Sequence, residues 1–158
     1  MNTLEGQPAP AFALPGSDGR SYSTAGLRGQ IVVLYFYPKD DTPGCTKEAC
    51  GFRDLNAEIA KTGAVVLGVS RDSHESHQQF LGKYQLPFVL LTDADTAVHR
   101  AYGAWGPKVS YGKETEGVIR STVIIGPDGK ISKHWPTVQD AGAHPADVLA
   151  ELTKMVHA

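Results

Sequence analysis

Seven consecutive apolar residues, Ile31-Val32-Val33-Leu34-Tyr35-Phe36-Tyr37, carry no polar alternation and are rich in β-branched and aromatic side chains. Such a run reads as a strand buried on both faces, as in a largely parallel sheet covered from both sides. It is far too short to cross a bilayer, which takes about 20 apolar residues as a helix. Past Pro38 the period changes. Phe52, Leu55 and Ile59 recur at helical spacing with charged residues between them, which predicts an amphipathic helix over 43–61. Thr42 followed by Pro43 marks its start: a capping residue precedes the first helical position, where proline is favoured.

The alternation continues with a strand over 64–70, a helix over 73–84, a strand over 88–91 and a short helix over 94–102. Residues 103–117, rich in glycine and charge, read as a loop, with Trp105 and Tyr111 as candidates to line a pocket entrance. Strands over 118–125 and 131–135 are joined by Gly126-Pro127-Asp128-Gly129, short enough to make them an antiparallel hairpin. A last helix begins near Pro145 and carries Val148, Leu149, Leu152, Met155 and Val156 on one face. At the other end, prolines 8, 10 and 15 surround Phe12 and Leu14, and Ser17-Asp18-Gly19-Arg20 supplies a turn, so an N-terminal hairpin or edge is expected. The sum is an α/β fold with a mixed central sheet flanked by helices on both faces. With no internal repeat or linker, residues 1–158 read as one domain.

A chain of 158 residues can bury a core without disulfide staples. Fifteen Lys and Arg against seventeen Asp and Glu leave a net charge of −2 with no block of one sign, which argues against a nucleic-acid or anionic-membrane partner. The opening MNTLEGQPAPAF has neither a basic leader nor an apolar stretch, so a cytoplasmic location with reduced cysteines is expected.

There are two cysteines, and both lie in Pro38-Lys39-Asp40-Asp41-Thr42-Pro43-Gly44-Cys45-Thr46-Lys47-Glu48-Ala49-Cys50. The segment sits where a strand's carboxyl end meets a helix's start, the rim at which open α/β sheets bind ligands. A cysteine in the first helical turn lies beside unpaired backbone N–H groups and the positive end of the helix dipole, both of which stabilise a thiolate. Cys45 is therefore the candidate nucleophile. Cys50 follows five residues later, about 8.6 Å away and roughly 140° around an intact helix. That lies outside the disulfide range of about 4.4–6.8 Å, so the pair can bond only if the first turns unwind.

The string PKDDTPGCTKEAC closely resembles the active-site segment of peroxiredoxins, in particular the Q-type or bacterioferritin-comigratory-protein branch with its Pro-x-x-x-Thr/Ser-x-x-Cys pattern. Pro38, Thr42 and Cys45 match each fixed position. The likeness extends to Gly-x-x-Ala-Pro-x-Phe-x-Leu at 6–14, Tyr-Gly-Lys at 111–113 and Gly-Val-Ile-Arg-Ser-Thr at 117–122. It implies a thioredoxin-like fold and thiol-dependent reduction of hydrogen peroxide and organic hydroperoxides, with no metal or organic cofactor. It also implies that Cys45 is the peroxidatic cysteine, Thr42 the hydroxyl that positions the peroxide, Pro38 the shield of the sulfur and Arg120 the family's arginine. Cys50 matches the resolving position, which would give a Cys45–Cys50 disulfide recycled by thioredoxin or a similar dithiol in a monomeric antioxidant enzyme. Val123 and Gly126 depart from the aromatic and acidic residues common in that strand, which points to altered packing with the chemistry retained.

Independently, Arg120 is expected on the same buried strand as Val118, Ile124 and Ile125, where a guanidinium needs an anionic partner. Blander expectations stand beside these. Cys50 could be a packing cysteine and Thr42 only a helix cap. Glu48 is expected as an exposed helix charge, although it is placed to orient Arg120, and His74 and His77 as a solvated pair without further metal ligands. Asp93 and Asp95 begin like a calcium loop, but Ala97 and Val98 break the pattern. Two rivals to a peroxidase remain at this point. A general thiol–disulfide oxidoreductase would normally want Cys-x-x-Cys, and a redox sensor would use the unwinding itself as its signal.

Overall fold

The computed structural model describes residues 4–110 and 112–157. In chain order the elements are β1 (Ala13–Pro15), β2 (Ser21–Ser23), β3 (Ile31–Phe36), α1 (Pro43–Lys61), β4 (Ala64–Ser70), α2 (His74–Tyr84) and β5 (Val89–Thr92). They continue with α3 (Ala97–Ala101), β6 (Trp105–Ser110), β7 (Lys113–Val118), β8 (Ser121–Ile125), β9 (Ile131–Trp135) and α4 (His144–His157). The central sheet has the order β5-β4-β3-β8-β9, with β3, β4 and β5 parallel and β8 and β9 antiparallel. The apolar run 31–37 thus forms the middle strand, and β1 and β2 form the expected hairpin.

Because successive strand residues point to opposite faces, β3 feeds two cores. Val33, Tyr35 and Tyr37 pack with Cys45, Phe52 and Ile59 of α1, Phe80 of α2, and Val148 and Leu152 of α4. Val32, Leu34 and Phe36 face Phe12 and Leu14 from the N-terminal segment, Val98 of α3 and Tyr102. In the first core Tyr35 stacks on Phe52 at 4.8 Å between ring centroids, an aromatic pair of the kind that adds about 0.5–1.5 kcal/mol beyond the area it buries. α1 approaches α4 closely at Gly51, where a β-carbon would stand 2.7 Å from the Pro145 ring.

Three expectations change. Residues 103–117 are not a loop: β6 and β7 pair antiparallel from Trp105↔Val118 to Ser110↔Lys113. The stretch lacks the apolar alternation by which strands are recognised, so its sequence gives no strand period. The expected strand over 118–125 is broken between Val118 and Ser121, and Arg120 sits in the break, not on a strand. There the chain leaves the ribbon, with Ile119 donating its N–H to the Ala104 carbonyl, and enters the central sheet at the Phe36↔Ser121 pair. Finally, α3 starts at Ala97 and not at 94, because Thr96 adopts a left-handed backbone with φ +63°. Tyr111, the other candidate at the pocket entrance, lies outside the described residues.

Candidate active site

The site forms where β3 ends and α1 begins. α1 runs unbroken from Pro43, and both cysteines are free thiols. Cys45, in the first turn, is 1% exposed and belongs to the core beneath α1. Cys50 is half-buried on the same helix. Thr42 occupies the N-cap position with extended backbone, but its side chain does not cap. Its hydroxyl instead donates to the Lys39 carbonyl at 2.8 Å, leaving the oxygen's lone pairs available to a ligand.

Arg120 reaches this point from the opposite side of the sheet order. Because Ser121 pairs with Phe36, the last residue of β3, Arg120 lies just past the strand's end, on the rim where α1 starts. Its Nη2 donates to Cys45 Sγ at 3.2 Å, and its Nη1 donates to Glu48 Oε1 at 2.6 Å. Gly44 leaves room for this: a β-carbon there would stand 3.0 Å from Nη2. Burial works against the charge on Arg120, yet Glu48 and Cys45 beside it outweigh burial and hold the guanidinium protonated.

Glu48 corrects the expectation of an exposed helix charge. Its side chain is fully buried, and burial pushes its carboxyl up to about 7 against the pull of Arg120. The signal was present in the sequence: stepping the Phe52, Leu55 and Ile59 stripe back by four and seven residues from Phe52 lands on Glu48 and Cys45. A carboxylate on the apolar stripe of a helix needs a cation beside it, and the partly buried Arg120 supplies one. His77 is likewise buried and not solvated, with its ring between Asp40 and the Leu91 carbonyl. Among the described residues no cluster of three or more His, Cys, Asp or Glu could hold a metal ion.

Pro38 is half-buried and lines a cleft of about 360 Å³ together with Lys39, Arg71, Trp105, Glu116 and Val118. Trp105 forms one wall. Its indole N–H donates to Glu116 at 2.9 Å, and the guanidiniums of Arg71 and Arg100 lie 5.4 Å and 5.0 Å from its ring centroid. The structure therefore brings Cys45, Thr42, Pro38 and Arg120 to one rim and leaves Cys50 further along the same helix.

Comparison with known proteins agrees with this geometry. Residues 5–134 match the AhpC/TSA family. Peroxiredoxin Bcp of Bacillus subtilis strain 168 is 44% identical over 154 residues, covering 97% of this chain and 98% of that protein. The Xanthomonas campestris bacterioferritin comigratory protein, studied for its alkyl peroxide reduction activity, superposes with a TM-score of 0.89 at 38% identity, covering 98% of this chain and 99% of that one. Peroxiredoxin Q from Xanthomonas campestris gives a TM-score of 0.86 at 41% identity, covering 92% of this chain and 91% of that one. The chain belongs to the AhpC/TSA family and, within it, to the Bcp or Q-type peroxiredoxins, thiol peroxidases on a thioredoxin-like fold.

Proposed function

We propose that this thiol peroxidase works through Cys45 on hydrogen peroxide and organic hydroperoxides, and that Cys50 resolves the oxidised sulfur. The observation that carries the reading is the bond from Arg120 Nη2 to Cys45 Sγ at 3.2 Å, which sets a partly buried guanidinium against the one thiol in the first turn of α1. The Cys45 thiolate attacks the near peroxide oxygen and the O–O bond breaks. The sulfur is oxidised to a sulfenic acid, and the leaving oxygen takes a proton to become water or an alcohol. Arg120 and the N–H groups at the start of α1 are positioned donors for charge that moves along the O–O axis, and the Thr42 oxygen is placed to accept from a hydroperoxide O–H. Pro38 limits water at the sulfur.

In the second step the Cys50 thiolate attacks the Cys45 sulfenic sulfur and water leaves, giving an intramolecular disulfide. α1 is wound in the reduced form described here, so this step requires residues 43–50 to unwind. A thioredoxin-like dithiol then restores both thiols by exchange, and the enzyme acts as a cytoplasmic monomer. Equimolar hydrogen peroxide should convert reduced protein into a form whose peptide map joins the Cys45 and Cys50 peptides through one disulfide. Fast peroxide consumption that leaves Cys45 unmodified would refute the assignment.

A further inference from the structure

A second buried polar cluster holds the loop that carries Pro38 and Thr42. Asp40 lies between them with its side chain 3% exposed. Its Oδ1 accepts from the Tyr37 hydroxyl at 2.5 Å, and its Oδ2 accepts from the Ser76 hydroxyl at 2.8 Å and faces His77 Nδ1 at 2.8 Å. The Asp40 N–H donates to Asp72 Oδ2 at 2.8 Å. His77 is fully buried, and its Nε2 lies 3.1 Å from the Leu91 carbonyl. The ring therefore bridges the Asp40 carboxylate and the Leu91 carbonyl, tying the loop to α2 and β5.

The next residue repeats the arrangement at the surface. Asp41 takes a left-handed backbone with φ +59°, and its carboxylate accepts from Lys83 Nζ at 2.7 Å and the Tyr84 hydroxyl at 2.8 Å. Two successive loop carboxylates are thus bonded to α2, one at its first turn and one at its last. An apolar contact would hold the loop against α2 equally well but would tolerate sliding. A buried carboxylate with three directional partners allows one position.

We propose that Asp40 and His77 are positioning residues for the peroxide step. By fixing the 37–42 loop to α2 they set where Thr42 and the first turn of α1 stand relative to Arg120, without touching substrate. The inference rests on Cys45 being the peroxide-reactive thiol. It separates two properties of that thiol: its general reactivity, set by Arg120 and the helix terminus, and its peroxide geometry, which depends on the loop.

The test compares two reactions of the reduced protein, stopped-flow oxidation by hydrogen peroxide and alkylation of Cys45 by iodoacetamide, with the thermal midpoint as a folding control. His77→Leu and Asp40→Asn should slow peroxide oxidation by about tenfold or more, since small misplacements are costly in an oriented reaction, while alkylation changes far less. His77→Asn keeps a donor near the Nδ1 position and should recover much of the loss. A folded His77→Leu protein with wild-type peroxide kinetics would overturn the proposal, as would peroxide and alkylation rates that fall together. Should His77→Leu fail to fold, Ser76→Ala and His77→Asn decide the matter: a partial loss confined to peroxide supports the pair, and no loss in either refutes it. Cys45→Ser, run in parallel, tests the underlying assignment separately, because rapid peroxide consumption by that variant would remove Cys45 itself.

Discussion

The first turn of α1 and its second turn carry the same side-chain chemistry in different settings. Cys45 is buried, bonded to Arg120 and seated on the core face of the helix with Glu48 beside it. Cys50 is half-buried, roughly 140° around the axis, immediately before the Gly51 contact with α4. One thiol is held in place by a charge, and the other lies further along the same helix. The contrast suits a two-step reaction in which the attacking sulfur must be preorganised and the resolving sulfur must move.

Replacing the thiols and charges one at a time tests that contrast. The largest effect belongs to Cys45→Ser, which should reduce stopped-flow peroxide consumption to the rate without enzyme. A fast residual reaction would erase the distinction between the two thiols. Arg120→Ala removes one preorganised charged donor and should slow Cys45 oxidation by about 10²–10³-fold, the usual cost of deleting such a donor. Arg120→Lys should recover only part of this, since an ammonium lacks the planar fork that serves Glu48 and Cys45 together.

Glu48→Gln should have a smaller effect that depends on pH. The wild-type carboxyl is raised by burial from an ordinary 4.5 to about 7. Its contribution to stability is therefore complete below about 4.5 and is lost as pH rises through about 7. Chemical denaturation at several pH values should show Glu48→Gln gaining on the wild type across that window, and a constant difference would contradict the assignment. Cys50→Ser should have the least effect on the first step. The first oxidation by peroxide should proceed at the wild-type rate, while steady turnover with a dithiol reductant should fail. A slowed first step would mean that Cys50 shapes the site that Cys45 uses.

Much of the fold could be read from period alone. The bounds of α1, β4 and β9 and the nature of the β1–β2 and β8–β9 hairpins agree with the sequence pattern. The β6–β7 ribbon could not be read, because its residues show no apolar alternation. Glu48 and His77 were misjudged for another reason. Each stands on the apolar stripe of its helix, four residues from Phe52 and three from Phe80 respectively, and a local reading of polarity assigns such residues to solvent. Their partners, Arg120 and Asp40, lie 72 and 37 positions away.

Periodicity and capping act over a few residues, and they suffice to specify a strand buried on both faces that feeds an amphipathic helix whose first turn carries a cysteine. What meets that cysteine depends on the assembled sheet. Arg120 arrives because β8 pairs with β3 at Phe36↔Ser121, a register set by the two cores on either side of the sheet. Side-chain charge is written locally, but the burial that gives it strength comes from contacts between distant segments, and those exist only once the sheet is assembled.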